Sequence, residues 1–235
     1  TSIMKKSTEG QIADLVLYKN NQLIALHKPA GVAIQRDKTE DKSLLDLAEI
    51  YTKHPLHLIH RLDRPASGIV LLAKNKKALA HLTRHFRERK VEKTYLAVVP
   101  RRALAEQGQL RHYLKKNARH NRSRAFDREV PGSKKSCLEY QLIGRIDRYQ
   151  LLRIELLTGR HHQIRAQLAA IGLPVKGDVK YGARRRNPDR SIHLHAWRLA
   201  FRHPVSGDRV RLEAPLPDDP VWQAFDWPVP SDSAS

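Results

Sequence analysis

At 235 residues the chain is long enough for one large domain or two small ones, and 44 Lys and Arg against 24 Asp and Glu give it a formal net charge of +20. So one-sided a balance suits a polyanionic partner, because neutralised phosphates release counterions. The absence of a long apolar run argues against a membrane span, and the single cysteine, Cys137, excludes an intrachain disulfide and a cysteine-built zinc cluster, as the reducing cytoplasm allows.

In chain order, residues 1–14 lack the apolar core of a signal peptide and read as a flexible tail. Residues 15–18 and 22–27 read as a hairpin turning at Lys19-Asn20-Asn21, followed by the rigid turn Lys28-Pro29-Ala30-Gly31 and a polar loop over 35–42. Ser43 predicts the cap of a helix reaching Thr52, with Asp46 in its first turn and Leu44, Leu47 and Ile50 or Tyr51 inward. The stretch 60–74, HRLDRPASGIVLLAK, sets Asp63 between Arg61 and Arg64 beside the turn-forming run Pro65-Ala66-Ser67-Gly68, and an apolar strand over 69–73 follows at once. A reactive loop at the start of a core strand is a common way to hold a catalytic group. The plainer reading of Asp63 is a surface ion-pair partner, the usual fate of a charge run.

Residues 76–90 read as an amphipathic helix with Leu79, Leu82 and Phe86 on one face and Lys77, Arg84, Arg87 and Arg89 on the other. A strand over 91–99 carries Tyr95, and 110–114 suggests another. The segment 111–136 is strongly basic, with almost no apolar residues and only Asp127 and Glu129 in opposition, and it reads as a protruding loop or hairpin that grips RNA, with a disordered surface excursion as the plainer alternative. Residues 138–146 and 149–157 pair through a turn at Asp147-Arg148. Thr158-Gly159-Arg160-His161-His162-Gln163-Ile164-Arg165 then opens a helix with Ile164, Leu168 and Ile171 as its core stripe, ended by Gly172 and Pro174. A tight loop holds Gly177-Asp178 and Tyr181-Gly182. Strands over 191–201 and 210–213, a closing helix over 219–225 and a tail over 228–235 complete the chain. Strands joined by short turns without regular βαβ alternation predict an α+β fold with a largely antiparallel sheet, in one domain over 15–227 with the basic insertion at 111–136.

The paired histidines (57/60, 81/85, 161/162 and 193/195) lack a metal-binding helix motif or a cysteine set and read as surface or phosphate-facing residues. There is no P-loop, GxGxxG or GxSxG, so nothing implies a nucleotide cofactor.

HRLDRPASGIVLLAK closely resembles the signature of the RluA-type pseudouridine synthases, HRLD-x-x-(T/S)-SG. Three more pieces agree in order: Lys28-Pro29-Ala30-Gly31, Lys93-Thr94-Tyr95, and Thr158-Gly159-Arg160-x-His162-Gln163-Ile164-Arg165 with Gly177-Asp178 and Tyr181-Gly182 after it. The resemblance runs over residues 15–215. Ala66 departs from it, standing where the family usually has threonine, and residues 1–14 are too short for the S4 RNA-binding domain that many relatives carry.

The resemblance implies a mixed, mostly antiparallel sheet with flanking helices around a basic cleft. It implies a cofactor-free isomerisation of uridine in RNA to its carbon-linked isomer, with Asp63 as the essential aspartate, Tyr95 against the target base and assisting proton removal, and Arg165 paired with Asp63. Arg61 resembles the arginine that enters the RNA as the base leaves the stack. Lys28, supporting the site wall or touching the RNA backbone, joins His60, Arg64, Arg160 and Ile164 as expected substrate-binding positions. The expected partner is a transfer RNA or large-subunit ribosomal RNA, met by a cytoplasmic monomer, and a compact stem-loop or hairpin is favoured by the missing S4 domain.

The chemistry makes separate sense of these residue types. A lone carboxylate suits an isomerisation whose leaving group is retained, where glycoside hydrolysis uses two. A neighbouring arginine keeps a carboxylate ionised, and a tyrosine offers a flat face and a hydroxyl to an everted pyrimidine. Ionised, Asp63 has two routes, attack on the ribose or removal of a sugar proton. The competing class is a non-catalytic RNA-binding or ribosome-assembly protein, which the charge and the basic arm alone would satisfy.

Overall fold

A computed structural model describes residues 9–36 and 41–226. Short helix α1 (Glu9–Ala13) precedes a hairpin of β1 (Val16–Lys19) and β2 (Leu23–Lys28), whose turn is closed by Asn20 Oδ1 accepting from the backbone N–H groups of Gln22 and Leu23, each at 2.8 Å. Helix α2 (Leu44–Thr52) begins at a full capping box, with Ser43 and Asp46 satisfying each other's backbone N–H groups. Strands β3 (His57–Leu58) and β4 (Ser67–Ala73) flank the Asp63 loop, and α3 (Lys76–Arg87) is capped by Asn75. Then come β5 (Glu92–Pro100), β6 (Gln107–Asn117), β7 (Arg122–Phe126), β8 (Lys134–Arg145) and β9 (Tyr149–Leu156). Helix α4 (Gln163–Ala170), a 3-10 turn (Val179–Tyr181), β10 (Leu194–Arg202), β11 (Arg209–Glu213) and α5 (Pro220–Gln223) follow.

The strands among the described residues form one sheet in the order β1-β2-β4-β10-β5-β9-β8-β6-β7, with β3 beside β4 and β11 beside β10. Only β4 with β10 is parallel. The fold is therefore α+β with a mostly antiparallel sheet, as the short turns predicted.

Alternation along each strand sends side chains to opposite faces. Val70 and Leu72 of β4 and Ala97 and Val99 of β5 face a core closed by Leu44 and Leu47 of α2 and by Ile164 and Leu168 of α4. Ile69 and Leu71 face α3 through Ala78 and Leu82, while Leu96 and Val98 meet Trp222 and Phe225. Leu62 and Ala66, on either side of Asp63, are both buried in the first of these cores. The loop between them is thus anchored at each end while its middle stays at the surface.

Several expectations need correcting. Residues 9–13, predicted as tail, form α1, because Ile12 is buried in the core; residues 1–8 and 228–235 and part of the loop predicted over 35–42 lie outside the described residues. Ile50 and Ile171 are exposed, since α2 turns Tyr51 inward instead and α4 stops at Ala170. The 111–136 segment does not project as an isolated arm. It belongs to β6, β7 and the start of β8, which extend the main sheet, and Leu114 and Ala125 pack on Ala166 and Ala169 of α4. Nor do all the paired histidines stay at the surface: His162, His193 and His195 are buried with polar partners.

Candidate active site

The Asp63 loop is tied down through its backbone. Ala66 N–H donates to Asp63 O at 3.0 Å, and Arg64 O accepts from Gly31 N at 2.7 Å and from Lys28 Nζ at 3.1 Å. Arg64 returns a bond, Nε to Gly31 O at 2.9 Å. Lys28 is fully buried and gives its other two protons to Pro29 O and Val32 O, both at 2.9 Å. Burial pulls its pKa down to about 7 against the opposing pull of Asp63. Three carbonyls around one nitrogen nevertheless match the three donors of an ammonium group. The turn at 28–31 and the loop at 63–66 are therefore one unit, stitched by a buried cation.

Above that unit the Asp63 carboxylate is 27% exposed, open enough to meet a ligand. Arg165 reaches it from α4, Nη1 donating to Oδ2 at 3.1 Å. The same guanidinium is clamped from behind by Asp178, with Nε to Oδ2 at 2.7 Å and Nη2 to Oδ1 at 2.9 Å, and both of these side chains are almost wholly buried. A two-pronged carboxylate contact fixes the plane of a guanidinium, so Arg165 presents its remaining edge to Asp63 in one orientation.

His162 stands beside this pair. Its backbone is left-handed (φ 52°), and its Nε2 lies 3.2 Å from Arg165 Nη1 and 3.7 Å from Asp63 Oδ1. Arginine only donates, so Nε2 accepts and the ring proton sits on Nδ1, 2.8 Å from the Tyr181 hydroxyl. Burial, then the neighbouring guanidinium, lowers the His162 pKa to about 2, which keeps the ring neutral. Tyr95, half-buried on β5, has its hydroxyl pKa pushed up by burial and by the Asp63 carboxylate, which places ring and carboxylate within electrostatic reach of each other. Asp63 and Arg165 are therefore brought together from a loop and a helix that lie far apart in the chain, and Tyr95 on β5 is near enough to feel the Asp63 charge.

The model of the RNA pseudouridylate synthase family matches residues 22–170. The chain belongs to that family. It is 31% identical over 231 residues to the tRNA pseudouridine synthase C of Haemophilus ducreyi, a match covering 88% of this chain and 92% of that one. To the ribosomal large subunit pseudouridine synthase C of Vibrio vulnificus it is 30% identical over 220 residues, covering 90% of this chain and 69% of the relative. The structure of human RNA pseudouridylate synthase domain containing 1 superposes with a TM-score of 0.74 at 26% identity, covering 93% of this chain and 89% of that one.

The other sequence-predicted positions of this pseudouridylate synthase chain fall into two groups. Arg61 is exposed, makes no hydrogen bond or ion pair among the described residues, and lies near enough to His161 to lower its basicity. It alone of the predicted substrate-binding set stands uncommitted beside the site. The rest are turned to scaffolding. Lys28 is sealed from solvent and cannot touch an RNA backbone. His60 accepts from Leu71 N at 3.0 Å and stacks on Phe86, and burial lowers its pKa to about 4. Arg64 is bonded to Gly31 and lies 3.5 Å from Asp41, Arg160 Nε bonds Lys135 O at 3.1 Å, and Ile164 is a core residue at 4% exposure. The last of these follows from α4 packing on the sheet, which its own apolar stripe dictates.

Asp178, Tyr181 and Gln163 are the neighbours that residue-by-residue reading missed. Gln163 Oε1 accepts from Thr158 Oγ1 at 2.8 Å and Arg160 N at 2.9 Å, while its Nε2 donates to Cys137 O at 3.0 Å. Threonine and glutamine together fasten the approach to α4 onto β8. The acid following Gly177 was visible in the motif, and a lone buried acid in so basic a chain is a signal for a cation to hold.

Proposed function

We propose that this protein isomerises specific uridines in structured RNA to pseudouridine, on a transfer-RNA stem-loop or a large-subunit ribosomal RNA hairpin. The observation that carries the reading is the surface-accessible Asp63 carboxylate, oriented by an arginine that is itself locked by a second carboxylate. The names of the relatives, one acting on tRNA and one on the ribosomal large subunit, support the choice of RNA. The cationic face of the arm supports electrostatic capture of that RNA.

In the reaction the target uridine leaves the stack at a cost of a few kcal/mol, and its base lies on the Tyr95 ring. Arg61, uncommitted and at the surface, fills the space left behind. Asp63 acts on the ribose, by attack at the sugar or by removal of a sugar proton, and the bond from sugar to nitrogen breaks. The uracil turns within the site, a bond from sugar to carbon forms, the hydrogen displaced from that carbon leaves as a proton, and the ring nitrogen that gave up the sugar takes one proton in exchange. Atoms and electrons are conserved, so the chemistry calls for no redox partner. Tyr95 enters as a phenol, because its raised pKa opposes ionisation; it packs, donates a hydrogen bond and relays a proton, and it is not a ready base. We read the protein as a cytoplasmic monomer organised as one catalytic domain over 15–227. Among the described residues no helix is long and apolar enough to cross a membrane.

Asp63→Asn is the test. Pseudouridine formation should fall by at least about 100-fold, the scale of losing an acid–base or nucleophilic group, while RNA affinity changes little. Retained isomerisation would refute the assignment. An unchanged phenotype in cells carrying Asp63→Asn would point instead to a non-catalytic role in RNA binding or ribosome assembly.

A further inference from the structure

The basic arm and the Asp63–Arg165 pair are joined by a chain of short contacts that the reaction itself does not use. Strand β7 ends the sheet, so the N–H groups on its outer side have no strand partner. One of them, Ser123 N–H, donates to the Tyr181 hydroxyl at 2.8 Å. That hydroxyl oxygen also receives Nδ1–H of His162 at 2.8 Å, and Nε2 of His162 receives Arg165 Nη1–H. Arg165 then bonds Asp63.

The ring of Tyr181 reinforces the same line. The Arg165 guanidinium lies 4.9 Å from its centroid and that of Arg122, an exposed arm residue, lies 5.1 Å away. Tyr181 ends the 3-10 turn that begins just after Asp178, so one turn supplies both the carboxylate behind Arg165 and the ring beside it. Ser123 adds a second tie, its Oγ lying 2.8 Å from both Nδ1 and O of His161, whose ring stacks on His162 at 3.7 Å. His162 holds a left-handed backbone (φ 52°) that a side-chain-bearing residue adopts only under strain. Strain of this kind persists where surrounding contacts over-determine it.

Resting on the reading of the site given above, we infer that Tyr181 is a positioning residue through which the docked arm aligns Arg165 and Asp63. Tyr181 is 4% exposed and its oxygen is committed to two donors, so it does not meet substrate. Its role is to make the readiness of the carboxylate depend on where the arm sits. An arm drawn aside by a wrongly shaped RNA withdraws Ser123 N–H, frees the Tyr181 hydroxyl and with it the His162 ring, and so removes the acceptor at Arg165 Nη1, the nitrogen that bonds Asp63 and that Asp178 does not hold. Gripping and reacting are thereby linked, although the gripping residues never touch the reacting atoms.

Tyr181→Phe removes the oxygen and keeps the ring between the two guanidinium groups. On a cognate RNA, kcat should fall about 10- to 100-fold, the cost of a small misplacement of a reacting group. KM should stay within about threefold, because the RNA-facing residues are untouched. The free protein supplies a second readout: the imidazole 15N shifts of His162 should report the Nδ1-protonated tautomer in the parent and a mixture in Tyr181→Phe. A kcat within about twofold of the parent overturns the inference, as does an unchanged tautomer. A variant that no longer folds at 25 °C overturns it too, by giving the hydroxyl a purely structural role. A parent protein that forms no pseudouridine on any RNA defeats the functional reading instead, while the tautomer measurement still stands.

Discussion

Histidine protonation sets the acid limit of this fold one residue at a time. His60 and His195 have pKa values lowered to about 4, in each case first by burial, and His162 to about 2. An exposed imidazole in the unfolded chain titrates near 6.5. The sign follows directly. Below about pH 6.5 the unfolded state takes up protons that the folded state refuses, so stability is full above that pH and falls towards pH 4. Each such histidine contributes a slope of up to about 1.4 kcal/mol per pH unit. Urea midpoints measured between pH 7 and 4.5 should therefore drop steeply. His195 is wholly buried, with Nδ1 2.8 Å from Ser67 Oγ, and His195→Gln should reduce the slope by about one proton even if it lowers the midpoint at pH 7. An unchanged slope would show that His195 is not held neutral.

Among the elements, β4 and β10 meet where the Asp63 loop ends, and the meeting has no room for a side chain. Gly68 has φ +125°, and a Cβ there would lie 2.3 Å from Ala196 O and 2.5 Å from Ala196 N, both backbone atoms that cannot step aside. The pairing of His195 with Ser67 and of Ala196 with Gly68 is the only parallel contact among the described residues of the sheet. Gly68→Ala should cost more than about 4 kcal/mol, the range reached when backbone strain and overlap combine. Thermal unfolding followed by circular dichroism should show the variant unfolded or melting far below the parent. Elements of this kind were readable to the extent that their causes are local. Ser43 and Asp46 announce α2 because a capping box is written within four residues, and Asn20 announces the first turn for the same reason. The Asp63 loop and its strand were readable because glycine, proline and an apolar run sit together. What the sequence hid was long-range. The arm looked unsupported because its supports, Gln167 Nε2 to Leu110 O at 3.1 Å and Tyr181 to Ser123, come from residues about sixty positions away. Lys28, His60 and Ile164 looked like ligand contacts because a motif shows which residues gather near a site, but not which way each one faces.

For the molecule as a whole, a charge of +20 makes RNA capture a question of ionic strength. Affinity for a single-stranded or loop substrate should fall with salt with a log–log slope of about −0.7 per phosphate contacted. Lys115, Arg119 and Arg128 are all exposed on the arm. Replacing the three with alanine should flatten the slope by about 2 if each meets a phosphate. Filter-binding titrations between 50 and 300 mM salt would measure this, and a slope equal to the parent's would move the phosphate track off the arm.

The same arm leaves β7 as the last strand of a long sheet among the described residues, and beyond the Ser123 N–H that Tyr181 occupies its outer main-chain groups have no strand partner there. Arg122 and Arg124 are exposed there, and two copies brought edge to edge would set like charges against one another. Arginines that suit a polyanion thus double as a guard against self-assembly. Variants stripped of these two charges would be expected to clump as well as to lose grip, and a turbid preparation would be an outcome of the edge and not of misfolding.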